Sequence, residues 1–332
     1  SFASSKQKAT VVTLPDSVKK IGKYAFTDCS KLVQINIPAG VTELYIETFI
    51  ECDALENIEV SAENESYDSI DGVLFTEGAK SLILYPRGKT AEKYTIPDSV
   101  EKIEISAFTK AKFSSVVIPD SVKEINDFAF EKSALTSVDI SKGITKISSG
   151  VFRDCEKLES VKFAGDIESI GCGAFESCIS LKSIDLPDSI TTIAELAFYN
   201  CDSFKSVTVP KNVKKLSTMA FAGCDSLEEV VLSEGIEFMD YRAFSDCLSL
   251  KKINIPDSVT KIGSYAFSRC QGLTNVIIGN GVTSIGHSAF EVCLNLESVT
   301  IGNGVIDIGS RAFSDCINIK SITIPDSVAS IG

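Results

Sequence analysis

With 332 residues, of which 45 are acidic and 32 basic, the chain carries a formal charge of −13, so it lacks the basic footprint by which proteins hold nucleic acid. No run of about 18 apolar residues occurs, which excludes a membrane-spanning helix. One histidine, eleven cysteines and no tryptophan restrict the available chemistry, depending on where they fall.

From Val11 onward one pattern recurs, I-P-D-S-V-x-x-I-G-x-x-A-F-x-x-C-x-x-L-x-x-V-x-I, in twelve copies with a period of 23 residues. A fixed period in the twenties marks a stacked solenoid. The marker Phe falls at Phe26, Phe49, Phe108, Phe130, Phe152 and Phe175, then every 23 residues to Phe313. The 59-residue step from Phe49 to Phe108 leaves about 36 additional residues in the second unit, between Val60 and Ile96. The remainder reads as one uninterrupted array and a single domain.

Within each unit, L-x-x-V-x-I alternates apolar and polar residues, the pattern of a half-buried strand. Leu181 to Leu186 and Leu250 to Ile255 are examples. Stacked copies predict one long parallel sheet. Each strand ends in a turn such as Pro187-Asp188-Ser189 or Gly279-Asn280-Gly281, where Pro presets φ and Asp, Asn or Gly tolerates turn conformations. The return path V-x-x-I-G-x-x-A-F is too short for a helix and predicts an extended piece and one helical turn on the outer face. A single repeat cannot offset its own ordering entropy, so stability has to come from stacking. The chain stops at Gly332 in mid-repeat, without the polar cap that solenoids need, so a longer parent protein is expected.

Ten cysteines form a column three residues after the marker: Cys29, Cys52, Cys155, Cys178, Cys201, Cys224, Cys247, Cys270, Cys293 and Cys316. The two 22-residue units carry Ala111 and Ser133 instead. Thiol and full-length turn are present or absent together, which ties the cysteine to turn geometry as a small buried side chain bonding to local backbone. Disulfides between neighbouring copies fit poorly, because side chains at ~4.8 Å spacing run parallel while a disulfide draws its Cβ atoms to ~3.8 Å. Cys172 stands outside the column.

Catalytic constellations are missing. The lone His287 takes a slot filled by Ser264 and Ser310 in adjacent units, and Cys172 lies five repeats away, so no Cys-His pair forms within one copy. Cys172 and Cys178 match no zinc spacing. The Gly-Asn-Gly turns precede no helix and are not phosphate loops. The chain therefore reads as non-enzymatic, with no cofactor and no metal. Its sequon Asn64-Glu65-Ser66 is a three-residue match of low specificity.

The outward columns of the predicted sheet, including Ser183, Ser206, Glu229 and Lys252 beside Asp185, Thr208, Val231 and Asn254, hold no aromatic ring. That counts against a sugar platform or hot spot there. Aromatic residues gather instead in the insertion, residues 61–95. Ser69 to Phe75 and Ser81 to Pro86 read as a hairpin around Glu77-Gly78-Ala79. Insertions often carry binding in solenoids, which makes Tyr67, Phe75, Tyr85, Arg87 and Tyr94 the candidate partner-binding residues. The alternative is that these rings pack the hairpin onto the array.

The run from Ile255-Pro256-Asp257-Ser258-Val259 through Ile262-Gly263, Ala266-Phe267, Cys270 and Leu273 resembles the BspA-type leucine-rich repeat, and the likeness extends over residues 11–332. Asp71-Gly72-Val73-Leu74-Phe75 and Tyr85-Pro86-Arg87-Gly88-Lys89 resemble a recurring variant of the family. The resemblance implies a leucine-rich-repeat solenoid, a curved right-handed array with one parallel sheet on its concave face and extended or short helical turns on its convex face. It also implies a secreted or surface-attached protein of a host-associated microbe, in a family some of whose members act as adhesins for proteins such as fibronectin or fibrinogen; a monomer is expected. A passive stalk presenting another domain is the alternative, and glycan binding a third.

Overall fold

The computed structural model describes residues 8–332, which divide into two compact units at the boundary between Ile144 and Thr145. In the second unit each repeat contributes one turn of a parallel solenoid. Strands Ser206–Val209, Glu229–Leu232, Lys252–Ile255, Asn275–Ile278 and Ser298–Thr300 form a five-stranded parallel sheet. Its register pairs equivalent residues, Lys252 with Asn275 and Ile253 with Val276. The expected alternation is present, with Val207, Val230, Ile253 and Val276 buried between exposed neighbours. Turns follow as read: the Val259 amide donates to the Pro256 carbonyl at 3.1 Å, and Val282 to Gly279 at 3.3 Å.

The extended piece pairs as well. Its two-residue strands, among them Lys215–Leu216, Phe238–Met239 and Lys261–Ile262, stack into a second parallel sheet whose first residue faces out and second faces in. The outer turn is not helical. Residues two before and two after the marker take positive φ, as at Leu196 (57°) and Asn200 (55°), or Tyr265 (58°) and Arg269 (63°). Alternating handedness turns every second amide towards the same neighbour. Leu196, Phe198 and Asn200 thus donate to the carbonyls of Thr218, Ala220 and Ala222 in the next turn, at 3.1, 2.8 and 2.9 Å. A single helical turn would have left those donors without an internal partner. Against this backbone the marker rings form a ladder from Phe152 to Phe313, with centroids 5.1–5.4 Å apart and planes within 12° of parallel.

The cysteine column corrects one expectation. Its thiols bond chiefly across turns; Cys52 also reaches a local carbonyl, that of Ile50 at 4.0 Å. Eight of the ten donate to the carbonyl of the Phe 26 residues earlier, as Cys178 to Phe152 (3.1 Å), Cys201 to Phe175 (3.2 Å) and Cys270 to Phe244 (3.1 Å). In the first unit Cys52 donates to Phe26 at 3.0 Å. No cysteine carries a disulfide in this structure. Denatured protein is expected to titrate close to eleven thiols. Folded protein should show one fast thiol, the exposed Cys172. Partial burial and the Glu195 and Glu176 carboxylates push that thiol above its ordinary pKa, so it should react more slowly than a free cysteine at equal pH. A denatured count near one would overturn the free-thiol reading.

The first unit extends the reading of the insertion. The expected hairpin around Glu77-Gly78-Ala79 is present, pairing Val73–Thr76 with Ser81–Leu84, but its first arm is divided, and Tyr67–Ile70 adds a third antiparallel strand to make a meander. That arm breaks at Asp71-Gly72, where φ is +49° and +72°, the two-residue primed turn that a right-twisted hairpin prefers. Gly72 has no room for a side chain, since a Cβ there would lie 2.3 Å from Asn57 Oδ1. Asn64 anchors the entry to the meander. Buried, it donates to the Pro38 and Val41 carbonyls at 2.8 and 3.0 Å and accepts from the amides of Ser66 and Tyr67 at 2.8 and 2.9 Å. Its amide serves the fold and does not stand free as a sugar acceptor.

The third strand of the meander begins a complete additional turn of the solenoid. Ser81 and Leu82 pair in parallel with Lys102 and Ile103, and Lys93–Thr95 pairs with Ser115–Val117. Tyr85 takes the marker slot, 23 residues before Phe108, and its amide donates to the Ala107 carbonyl at 2.8 Å. The true interruption is thus the hairpin around Asp71-Gly72. Gly88 stands in the cysteine slot of this turn, where a Cβ would lie 2.5 Å from the Ala54 carbonyl oxygen.

Candidate interaction surfaces

The proposed partner-binding residues occupy different environments. Phe75 and Tyr85 are buried, at 0% and 1% exposure, so neither ring faces solvent. Tyr94 is half-buried and packs with Tyr85, Phe108 and Phe113 at centroid distances of 4.9, 5.8 and 6.1 Å. Desolvation raises the pKa of both tyrosines, and for Tyr94 the charge of Tyr85 adds to it. Tyr67 turns its hydroxyl to the Leu44 amide at 3.0 Å. Four of the five candidates therefore tie the meander to the array, as their alternative reading had it.

Arg87 is the fifth. Its guanidinium lies 3.4 Å from both Glu51 and Asp53, and Lys110 reaches Glu51 at 2.8 Å. Hydrogen bonding from Lys110 holds the Glu51 carboxyl below the usual range. Arg87 joins this network to an apolar cleft of about 330 Å³, which it lines with Ile46, Phe49, Ile50, Leu84, Pro86 and Ile105 and the charged Glu47 and Glu131. The cleft has a structural origin. Phe49 stacks on Phe26 at 6.0 Å but closes a 3-10 turn, Ile46–Phe49, where other markers bond to the following turn. The ladder resumes at Tyr85, and the cleft opens beside the break. Ile105, 51% exposed, stands at its edge.

A family model for the BspA-type leucine-rich repeat region, in six copies, matches residues 1–83, 87–201, 145–274 and 260–332. The chain belongs to the BspA-type leucine-rich-repeat family. Solved structures similar to this BspA-type chain include a leucine-rich repeat protein from Eubacterium ventriosum, 24% identical over 79% of this chain and 64% of that one, with a TM-score of 0.58. The chain thus spans slightly under two thirds of that protein. A leucine-rich cell surface protein from Faecalibacterium prausnitzii is 22% identical over 89% and 88% of the two chains, with a TM-score of 0.57. A Bacteroides ovatus leucine-rich repeat protein is 24% identical over 93% and 85%, with a TM-score of 0.51. At these identities the likeness is one of fold. No curated protein matches the chain. The family is consistent with a protein-interaction module, and no helix among the described residues is long and apolar enough to cross a membrane.

Sequence reasoning missed a second surface of this BspA-type array, on the second unit. Phe238 and Tyr241 are 43% and 37% exposed. Tyr241 meets Tyr265 edge-on at 5.7 Å, and Tyr265 meets His287 at 5.2 Å. His287 is not simply solvated: its ring nitrogens lie 2.7 Å from Ser310 Oγ and 3.0 Å from the Tyr265 hydroxyl. The Arg242 guanidinium lies 5.3 Å from the centroids of both tyrosine rings. The signal was present in the V-x-x-I-G-x-x segment, whose outward slots hold Phe238, Tyr241, Arg242, Tyr265 and His287. The sequence reading had followed only the columns of L-x-x-V-x-I.

Proposed function

We propose that this chain is a non-enzymatic, secreted or surface-displayed protein-binding module, adhesin-like towards proteins of a host or neighbouring cell. The cleft at the break in the aromatic ladder is its grip. One observation carries the reading: an apolar hollow, large enough for a partner's side chain and with charged Glu47, Glu131 and the ion-paired Arg87 among its lining, opens on a scaffold of stacked repeats. Protein interfaces concentrate their energy where an anchor residue fills such a pocket within a polar rim. The family membership supports a protein partner, and one structural relative is described as a cell surface protein.

The test is binding to immobilised fibronectin, fibrinogen and mucin, comparing the native chain with Ile105→Glu, which places a charge at the mouth of the cleft without touching the core. Saturable binding to a protein ligand that weakens about tenfold or more in the variant is expected. Binding that the variant retains would move the site elsewhere. Absence of binding to all three would favour a stalk that spaces another domain.

A further inference from the structure

Phe238 does not stand alone on its sheet. Parallel register places Lys215 beside it on one neighbouring strand and Lys261 on the other, at the ~4.8 Å spacing of adjacent strands. Both lysines are exposed. Together with Asp240, Tyr241, Gly263 and Ser264 these side chains line a groove of about 490 Å³. Lys215 is held by Asp240 at 2.7 Å. Lys261 and Arg242 have no ion-pair partner among the described residues. A cation, ring, cation sequence thus crosses the exposed face of a chain whose net charge is −13.

We propose that this groove docks an acidic segment of another protein, with an apolar side chain set against Phe238 and flanking carboxylates paired with Lys261 and Arg242. Charge complementarity selects such a segment: an acidic partner is repelled by the chain at large and attracted here, which fixes its register. Phe238 and Tyr241 offer apolar area that a purely ionic ligand would leave unused. The tyrosine faces favour polypeptide over sugar. Sugars pack on open ring faces, whereas the Arg242 guanidinium already lies over Tyr241 and Tyr265. Tyr and Arg are also the residues on which protein contacts concentrate their energy. This site is separate from the cleft at Ile105, and its partner class is independent of that reading.

The experiment uses the full chain and fluorescence anisotropy with two labelled nine-residue peptides, one bearing a central Phe between glutamates and the other identical but with glutamines. The glutamate peptide is expected to bind about tenfold more tightly. Its affinity should fall with added salt. Lys261→Glu and Phe238→Ser should each weaken it about tenfold, with unchanged circular dichroism melts, while Ile105→Glu leaves it unaltered. Equal affinity for the two peptides, or none for either, would overturn the proposal. So would indifference to Lys261→Glu. Heparin bound through the same residues in place of the glutamate peptide would make this a polyanion site and overturn it equally.

Discussion

Between pH 8.5 and 11 the protein is expected to lose several kcal/mol of folding stability per pH unit, far more than its surface ion pairs could account for. Burial raises the thiol pKa at Cys52, Cys178, Cys201, Cys224 and Cys247, to about 12 at Cys52 and Cys224. In the unfolded chain the same thiols ionise near 8.5. Above that pH the unfolded state has released protons that the folded state still holds, so stability falls as pH rises. It is fully present below about 8.5 and is lost towards the folded pKa values. Each thiol contributes ~1.4 kcal/mol per pH unit, so five acting together reach ~7 kcal/mol per unit. Tyr85 and Tyr94, also raised by burial, add to the fall above their unfolded value of about 10. Urea midpoints measured at pH 8, 9 and 10 would show the slope. The double variant Cys201→Ala, Cys224→Ala should flatten it by about two fifths. A midpoint constant to pH 10 would mean that the column is not a set of buried protonated thiols.

Truncating Tyr85 to Ala should cost about 3–5 kcal/mol, the range for deleting a fully buried aromatic side chain. Tyr85→Phe should go the other way and gain about 1 kcal/mol. The ring is 1% exposed and packs on Phe108 and Phe113 at 5.6 and 5.1 Å, which is what alanine removes. Its hydroxyl is buried with no hydrogen-bond partner among the described residues, and an unpaired buried hydroxyl carries a desolvation cost of about 1–3 kcal/mol. Phenylalanine keeps the ring, removes the hydroxyl and restores the residue found at the other marker positions. Denaturant midpoints of the three proteins decide it. If Tyr85→Phe were as damaging as Tyr85→Ala, the hydroxyl would be serving a function that the packing does not reveal.

These two predictions separate what the linear pattern could tell from what it could not. Strand, turn and marker were legible because each is a local preference restated at a fixed interval: Val207 faces in and Thr208 out for the same reason as Ile253 and Asn254. The hairpin around Glu77-Gly78-Ala79 was legible in the same way, whereas the Asp71-Gly72 turn, also written locally, was read as part of its first arm. Tyr85 could have been placed by counting 23 residues back from Phe108, but a tyrosine without the preceding Ala did not resemble the marker. The candidate residues of the insertion were chosen for ring content. Ring content alone does not distinguish Phe75, sealed in the first unit, from Phe238, exposed between two lysines.

The amino-acid sequence by itself determined the period, the two faces of each strand and the turn that ends it, because those depend on side-chain polarity and backbone propensity within a few residues. Only the tertiary structure decided where the thiol protons go, why the outer turn is not helical, and which rings meet solvent. The physical reason is common to all three. The acceptors of eight column thiols lie 26 residues away, and the acceptors of the outer-turn amides, like the neighbours of Phe238, lie in adjacent turns. Such partners exist only once one turn has stacked on the next.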